Sequence, residues 1–528
     1  MVQRLFAELS PTVFGYHSQR VLGLPLRLTV IYAIVFAVAF LIYAAVWTDA
    51  PLVATDTQGY LEFARDLADG TIDDLHARAP GFPVLLLLTS STEEPRRFLF
   101  YLSLVLHCVS VLLLAGLLDR AGLPVIAIVC FGLLAMTPLF LQTAGWALSE
   151  GLTQFLLVCG IFALVAAIEN ISVPLALIGG LAFAGATLAR PLYQCVFLPL
   201  ALLVWLCGRT KAHRTGRSIL RVSGVFVLAF LIPVLAYCGF NLSRFGYFGV
   251  TYWLGHNLST RTARIVQMLP DEYAETRSIL TAVRDAELVR DPTPGSHSVH
   301  WYANHAVTEL ERTTGLRDVA LADYMLGLNL RLIRDHPLRY LREVAESFAG
   351  YWFPIVTRLA RGPRILTLIE LLVHFLIVGM FFVQTALVGG YYTWNAAKGR
   401  GIFAPLYLGA LAIIVYTAIV SCMADTGEAR QRTPTDLLIL LVVFLGGHLW
   451  ARSAEAPPGR NPSERQKNSR HRAYSRSRRR SARENAFPFL KRRACHAQAF
   501  NVPSSRAGAF RGTRRCLPAR RRLERSCS

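Results

Sequence analysis

A series of long apolar runs, repeated along most of the chain, is the feature that most constrains its fold. Several of these runs approach the roughly 20 residues that a helix needs to cross the hydrocarbon layer of a membrane. Because 53% of the 528 residues are hydrophobic and only 17% are charged, a soluble domain could not bury this much apolar surface in one core. The sequence therefore predicts an all-α polytopic membrane protein.

About ten membrane-spanning helices are expected from the positions of these runs. No small-residue cleavage site follows the first run, so it is predicted to remain as an anchor. The run FPVLLLLT at 82–89 is too short to span and is expected to dip into the outer interface. The predicted spans are residues 28–47, 98–118, 122–141, 147–168, 171–189, 191–207, 222–240, 365–388, 402–421 and 435–450.

The orientation is predicted from the basic residues of the short loops. With the N-terminus inside, the inner loops hold eleven Lys and Arg residues, the C-terminal tail not counted, against seven in outer loops of comparable size. Basic loops favour the cytoplasmic side of a membrane. Residues 48–97 and 241–364 are therefore expected to face outward.

The formal charge of +21 is concentrated in a C-terminal tail. Residues 451–528 contain 22 Lys and Arg against 4 Glu, which accounts for +18 of the total. The tail lacks apolar periodicity and is predicted to be disordered and cytoplasmic, where basic residues attract anionic lipid head groups. We therefore expect membrane lipids as partners and no nucleic acid. An out-of-frame translation of a GC-rich gene would give the same mixture of residues, and that alternative stays open.

The first outward loop is rich in charge although it follows directly on an apolar run. Its stretch DTQGYLEFARDLADGTIDDLHARAPGFP, residues 56–83, holds six carboxylates, one histidine and two arginines. Apolar residues at the helical spacing 0, 3, 4 and 7 from Tyr60 predict an amphipathic helix over 57–69 that lies on the bilayer and stops at Gly70. Asp56 stands at the start of this helix. An N-terminal cap is the plain alternative to any chemical role for it.

Six segments, taken in order, carry a resemblance to a known family. The first combines Asp56, a tyrosine four residues later, the amphipathic helix and RAPGFP. The other five are TAGWALSEGLTQFLLV (143–158), TLARPLY (187–193), NLSRFGYFG (241–249), IRDHPLRYL (333–341) and TGEARQRTP (426–434). From about residue 25 to 450, this ordered set resembles the GT-C glycosyltransferases related to protein O-mannosyltransferases and lipid A aminoarabinose transferases.

The resemblance implies a GT-C-like catalytic core over residues 1–450 in the cell (inner) membrane, with the active site extracytoplasmic. Such an enzyme takes a sugar from a polyprenyl-phosphate donor and passes it to an acceptor hydroxyl on an envelope glycan, lipid or protein. An inverting displacement needs a carboxylate to accept the hydroxyl proton and cationic groups to stabilise the leaving phosphate. No cofactor is expected with certainty, and a divalent metal is an open alternative.

The resemblance also assigns candidate residues for this chemistry. It implies Asp56 as the general base and Arg78 as a contact to the donor phosphate. Arg190, followed by a proline at the outer interface, is a second candidate for the phosphate. The alternative for both arginines is a side chain that reaches into the membrane interface and serves as an anchor.

Other candidates concern the acceptor and a metal. Glu150 is a candidate for positioning the acceptor or for ligating a metal, although an acid at the positive end of a helix dipole is an equally simple explanation. Tyr60 and His256 are further candidates for positioning the acceptor. His76 is a weak candidate for a metal ligand, since a lone histidine in a loop usually has no such role.

The second outward segment, residues 241–364, is predicted to be mostly helical, with Pro337 ending one helix and starting the next. Its aromatic clusters at 247–253 and 351–353 favour a belt at the membrane interface over a surface that stacks on sugars. Two rival functions remain: a transporter or flippase, and a polysaccharide ligase for envelope glycolipids. Dependence on Asp56 would separate the transferase from a ligase.

Overall fold

The structure, a computed structural model, describes residues 20–21, 24–46, 51–209, 216–290, 305–353, 364–397, 403–425 and 427–454. The predicted basic tail lies outside these residues from position 455 onward. Parts of the predicted outward segment, residues 291–304 and 354–363, also lie outside them.

The described chain is almost entirely helical. Its one short sheet pairs β1 (Arg20–Val21) antiparallel with β2 (Leu24–Pro25). The first helices are α1 (Leu26–Val46), α2 (Thr55–Asp69), α3 (Gly81–Leu88), α4 (Arg97–Arg120), α5 (Val125–Ala135), α6 (Pro138–Leu141), α7 (Glu150–Asn170), α8 (Val173–Ala189), α9 (Phe197–Arg209) and α10 (Gly216–Phe245). They are followed by α11 (Leu254–Thr262), α12 (Ala274–Arg290), α13 (Val307–Thr314), α14 (Asp318–Asp335), α15 (Pro337–Trp352), α16 (Arg364–Ala397), α17 (Phe403–Ala424), α18 (Ala429–Arg432) and α19 (Asp436–Ala454). Short 3-10 turns cover Gln142–Gly145, Pro191–Tyr193, Ala263–Met268, Asp271–Tyr273 and Thr433–Thr435.

Every predicted span corresponds to a helix. Seven helices in the described part of the chain are long and apolar enough to cross a membrane, and three shorter ones, within α5, α8 and α9, are apolar as well. The prediction of an all-α polytopic membrane protein is therefore confirmed. The largest difference is at residues 122–141, where α5 ends at Ala135 and α6 starts at Pro138, because the residue before a proline disfavours helical geometry.

Close backbone approach through small residues joins the central helices. A Cβ added at Gly160 of α7 would lie 2.7 Å from the Phe183 ring of α8. A Cβ at Gly180 of α8 would lie 2.4 Å from the Phe226 carbonyl oxygen of α10. Small residues commonly allow such contact between membrane helices. They bring α7, α8 and α10 into one packed group.

The amphipathic helix of the first loop forms as predicted, but its apolar face does not lie on a bilayer. Helix α2 ends at Gly70, which has a φ of 70° that suits a glycine. Tyr60 and Ala64 are buried in a small core that also contains Phe82 and Leu86 of α3. The prediction of a bilayer-bound face was wrong because the loop folds back and supplies α3 as the partner.

The predicted dipping run forms helix α3, which has two different faces. Phe82 and Leu86 are buried, whereas Val84 and Leu88 are exposed. At its start, a Cβ on Gly81 would lie 2.7 Å from the backbone nitrogen of Ala189. This contact places the beginning of α3 against the end of α8.

Helices α11 to α15 form a second hydrophobic cluster, separate from that of the long helices. As predicted, one helix ends before Pro337 and the next begins there. Tyr351 and Trp352 are buried, and the Trp352 ring stacks on Phe381 of α16 at 5.3 Å between centroids. The interpretation of these two aromatics as an interface belt is therefore wrong, since they pack inside the protein.

Candidate active site

Backbone contacts bring the start of α2 to the loop that precedes α7. Leu52 N donates to the Gly145 carbonyl at 2.9 Å, and Ala147 N donates to the Leu52 carbonyl at 3.0 Å. Thr57 Oγ1 accepts from Ala54 N at 2.9 Å and donates to the Ala147 carbonyl at 3.0 Å. These bonds fix the first turn of α2 beside the first turn of α7.

Asp56 lies inside this first turn of α2, and Ala54 occupies the N-cap position. The explanation of Asp56 as the N-cap is therefore wrong. The Asp56 carboxylate accepts from two guanidinium groups instead. Its Oδ1 lies 2.8 Å from Nη2 of Arg78, and its Oδ2 lies 2.7 Å from Nη2 of Arg430.

Glu150 is the first residue of α7 and is only 3% exposed. Its Oε1 accepts from Arg430 Nε at 2.7 Å and lies 3.1 Å from Arg190 Nη1. Its Oε2 is buried, and no described residue supplies a hydrogen-bond partner for it. The helix dipole favours an acid at this position, but burial is tolerable mainly because two cations pair with it.

Asp56, Arg78, Glu150, Arg190 and Arg430 thus form one connected group, which we call the ion-pair cluster. Its members come from α2, from the segment before α3, from the start of α7, from the end of α8 and from α18. Three cations and two carboxylates leave the cluster with an excess of one positive charge.

Arg190 caps the end of α8, where its backbone N–H donates to the Ala186 carbonyl at 2.8 Å. Its side chain is mostly buried, and Nη2 donates to the side chain of Gln431. Burial acts to lower the pKa of this guanidinium, but the Glu150 carboxylate outweighs that effect and raises it. The structure places Arg190 inside the protein, so it is not an exposed interfacial anchor.

Arg78 lies between two aromatic rings. Its guanidinium carbon is 5.4 Å from the centre of the Tyr60 ring and 5.6 Å from that of the Trp253 ring. Stacking of this kind stabilises a cation and holds its plane in one orientation. The alternative of a side chain that reaches freely into the interface does not fit these contacts.

The Asp56 carboxyl is expected to be ionised at neutral pH. Burial alone would raise its pKa, but the guanidinium groups of Arg78 and Arg430 outweigh burial and hold the pKa below its ordinary value of 3.8. Asp56 is therefore a weak base as long as both arginines contact it.

The two acceptor candidates lie at the edge of the cluster. Tyr60 is buried, and its hydroxyl is 3.1 Å from Ser149 Oγ, beside Glu150. His256 lies on α11 with its ring 5.0 Å from that of Trp253, which also contacts Arg78. Burial lowers the pKa of His256, and none of the described residues bonds its Nδ1.

His76 is not part of the cluster. Its Nε2 lies 3.0 Å from Asp66 Oδ2, and its ring stacks on Phe63 at 4.0 Å between centroids. Burial lowers its pKa although Asp66 opposes that effect.

The cluster as it stands does not fit a divalent metal. Both carboxylate oxygens of Asp56 accept from guanidinium groups, and Glu150 pairs with Arg190 and Arg430. Within the described residues, no group of three or more His, Cys, Asp or Glu side chains is placed to hold a metal ion.

Sequence reasoning missed the role of Arg430. This residue was counted only as one of the outward basic residues and as part of the segment TGEARQRTP. An arginine directly before a membrane helix is ordinarily an interfacial anchor, and nothing nearby in sequence indicates its partners. The only signal was its place in a segment that takes part in the family resemblance.

Comparisons with known proteins give a structural likeness but no match in sequence. No family model matches the chain, and no curated protein matches it. Among solved structures, the chain is similar to an archaeal oligosaccharyltransferase, AglB from Archaeoglobus fulgidus, solved in complex with an inhibitory peptide and a dolichol-phosphate. The two share 12% identity with a TM-score of 0.42 over 81% of this chain, which spans about half (52%) of the length of that structure.

Proposed function

We propose that this chain is a GT-C-type membrane glycosyltransferase that moves a sugar from a polyprenyl-phosphate donor to an acceptor hydroxyl on the extracytoplasmic side of the cell membrane. The observation that carries the proposal is the ion-pair cluster, in which Asp56 and three arginines meet beside the ends of apolar helices. A single displacement needs these two chemistries close together.

The charge of the cluster suits the phosphate group of such a donor. A sugar linked to a polyprenyl phosphate is a phosphodiester with one negative charge, and the leaving polyprenyl phosphate gains a second. Partly buried guanidinium groups attract the first charge and stabilise the second more strongly as it develops. Arg78, Arg190 and Arg430 therefore favour the transition state over the bound donor.

The surroundings of the cluster suit the lipid part of the donor. Helix α3 begins against the end of α8, next to Arg190, and exposes Val84 and Leu88 on its outer face. An apolar exposed face beside cationic groups can bind a prenyl chain while the phosphate contacts the arginines. The donor would thus lie along α3 with its phosphate at the cluster.

The reaction proceeds by exchange of ion pairs. When the donor phosphate binds, Arg78 and Arg430 turn part of their hydrogen bonding toward it, which makes the Asp56 carboxylate a stronger base. The acceptor oxygen then forms a bond to the anomeric carbon while the bond from that carbon to the phosphate oxygen breaks. The bonding electron pair leaves with the polyprenyl phosphate, and Asp56 accepts the hydroxyl proton. Attack from the side opposite the phosphate inverts the anomeric centre.

Acceptor positioning is assigned to side chains at the rim of the cluster. Glu150 holds Arg190 and Arg430 in place and has one buried oxygen for which no described residue provides a bond. The Tyr60 ring contacts Arg78, and His256 lies next to Trp253, the other ring that contacts Arg78. The acceptor is an envelope glycan, a lipid or a protein, and helices α11 to α15 form the surface it approaches.

The rival transporter function is less well supported by the groups inside the apolar helices. His107 Nε2 is 2.9 Å from the Ala135 carbonyl and His374 Nε2 is 3.0 Å from the Trp352 carbonyl, so both side chains stabilise helix packing. The cluster lies instead at the helix ends. A ligase could use the same cationic groups, but it would not depend on Asp56.

Release of polyprenyl phosphate tests the proposal. The purified chain in lipid vesicles would be given a panel of polyprenyl-phosphate sugars and a mixture of envelope glycan, lipid and peptide acceptors. We expect release of polyprenyl phosphate with at least one donor, and loss of that release in Asp56→Asn. A chain that releases none from any donor, or whose release persists in Asp56→Asn, would rule out this reaction.

A further inference from the structure

Helix α15 has two apolar faces, and within the described residues one of them packs against protein. The inner face follows the spacing of Tyr340, Ser347 and Tyr351, all of which are buried. Tyr340 also donates its hydroxyl hydrogen to the Met423 carbonyl at 2.6 Å, which fixes the helix to α17. The other face is exposed to the outside of the protein.

Three large apolar side chains dominate this exposed face. Leu338, Leu341 and Phe348 are 80%, 54% and 41% exposed, and the exposed Ala345 lies between them. Their positions at 338, 341, 345 and 348 follow the 3 and 4 spacing of one helical stripe. We call this set the outer stripe. A stripe of leucine and phenylalanine open to water would be costly, so it indicates a partner.

The outer stripe continues into the surface of a membrane helix. Phe348 contacts Trp352 with 6.1 Å between ring centroids, and Trp352 contacts Phe382 of α16 at 4.9 Å. Phe353, directly after α15, lies 5.9 Å from Phe375 of α16. Phe375 and Phe382 are themselves partly exposed on a helix that is long and apolar enough to span. The stripe therefore lies next to exposed apolar residues of a helix that is long and apolar enough to span a membrane.

Helix α16 is long enough to span a membrane and to extend beyond it. Its 34 residues reach about 51 Å at 1.5 Å per residue, which exceeds the ~30 Å hydrocarbon layer. Its apolar part is Leu368–Gly390, which includes Phe375 and Phe382. Because the C-terminal end of α15 contacts α16 at these two residues, that end lies beside the apolar part of α16.

Basic side chains flank the outer stripe on the same helix. Arg339 and Arg342 are both exposed, and Arg342 forms a surface ion pair with Glu346, at 3.2 Å. Arginines beside an apolar stripe are typical of helices that lie in a membrane interface, where they contact anionic head groups.

From these observations we infer that α15 is an interfacial helix whose partner is the lipid surface itself. Leu338, Leu341 and Phe348 enter the boundary between head groups and acyl chains, and Arg339 and Arg342 contact anionic lipid phosphates. The inference is independent of the proposed reaction. Its consequence is that helices α11 to α15 are held against the membrane beside the site.

Depth-dependent quenching tests this inference in the full-length protein. An environment-sensitive fluorescent amino acid would replace Leu338 in one variant and Leu341 in another, in vesicles of phosphatidylcholine and phosphatidylglycerol. Leu372, exposed on α16, is the matched lipid control, and Asp271, an exposed acid, is the matched water control. Lipids with a nitroxide on the acyl chain, and iodide in the buffer, are the two quenchers.

We expect the probes at 338 and 341 to be quenched by the lipid nitroxide as at 372, with a blue-shifted emission. Quenching by iodide as at 271 would overturn the inference, because the stripe would then lie in water. Protection from both quenchers would also overturn it, because protein would then cover the stripe.

The contribution of the arginines is tested separately. In Arg339→Glu/Arg342→Glu, we expect lipid quenching at 338 to fall in vesicles that contain phosphatidylglycerol and to change little in phosphatidylcholine alone. An equal effect in both lipids would contradict a contact between these arginines and anionic head groups. Elution of each variant as a single species would show that it is folded.

Discussion

Arg430 donates to the Asp56 carboxylate at 2.7 Å although the two residues are 374 positions apart in the chain. The same guanidinium also donates to Glu150. The Arg430 side chain, close to the C-terminal end of the described chain, therefore pairs with two acids. Each of these acids lies at the start of a different helix earlier in the chain.

Removal of Arg430 is expected to destabilise the protein. Among the described residues, Arg430→Ala leaves the buried Glu150 with Arg190 as its remaining cationic partner, and the loss of one partner of a buried pair costs on the order of 3 kcal/mol. A lower thermal unfolding temperature in detergent would show this. Arg244→Ala, which removes an exposed ion pair with Asp73, is the control and should change the temperature little. Equal temperatures for the two variants would contradict the structural role of Arg430.

Asp56→Asn is expected to reduce the release of polyprenyl phosphate by about 100-fold or more, because the hydroxyl proton then has no carboxylate to accept it. The measurement is single-turnover release in vesicles. Asp69→Asn, at the exposed end of the same helix, is the matched control and should keep the parental rate. Comparable losses in both variants would indicate a general effect on α2.

The pH dependence of stability should report the ion pairs of Asp56. Its folded-state pKa lies below the ordinary value, so the pairs stabilise the protein above that value and lose their effect as pH falls through the folded pKa. The difference in unfolding temperature between the parent and Asp56→Asn is therefore expected to be constant at neutral pH and to shrink below about pH 4. A difference that grows on acidification would have the wrong sign.

Arg78→Lys should weaken donor binding although the charge is kept. A lysine ammonium lacks the planar group that lies between Tyr60 and Trp253, which removes roughly 1–2 kcal/mol of orientation and stacking. We expect the KM for the donor to rise by about tenfold, with a smaller change in kcat. Steady-state kinetics at varied donor concentration measure both. An unchanged KM would indicate that Arg78 does not bind the donor.

Gly81→Ala should displace Arg190 although Gly81 is not a member of the ion-pair cluster. The added Cβ would lie 2.7 Å from Ala189 N and so push α3 away from the end of α8, where Arg190 begins. Such overpacking costs about 1–3 kcal/mol and should lower both stability and sugar release. Gly224→Ala is the control, because nothing lies within 4 Å of a Cβ there. If both variants behave as the parent, the contact between α3 and α8 does not position Arg190.

Local sequence signals predicted the helices well. The apolar runs, the stop at Gly70 and the break at Pro337 each have a cause within a few residues, and the structure agrees with them. The partner of an amphipathic face has no such local cause. For that reason the apolar face of α2 was assigned to the bilayer, whereas α3 covers it.

The candidate site was predictable only in part, because the partners of its residues also have no local cause in the sequence. Asp56, Glu150, Arg78 and Arg190 were singled out, and the structure brings all four together, whereas His76 has its own partner in Asp66. Arg430 completes the group, but its two acids lie hundreds of residues earlier. Only the folded chain shows which acids an arginine of this kind contacts.

The place of Arg430 along the chain has a consequence for biogenesis. A ribosome synthesises Asp56 and Glu150 long before it reaches α18, so during insertion these acids meet Arg78 and Arg190 first and gain Arg430 only after α17 has emerged. A nascent chain that stops before residue 430 lacks one of the three cations of the cluster. Completion of the site is thereby coupled to delivery of α17 and α18.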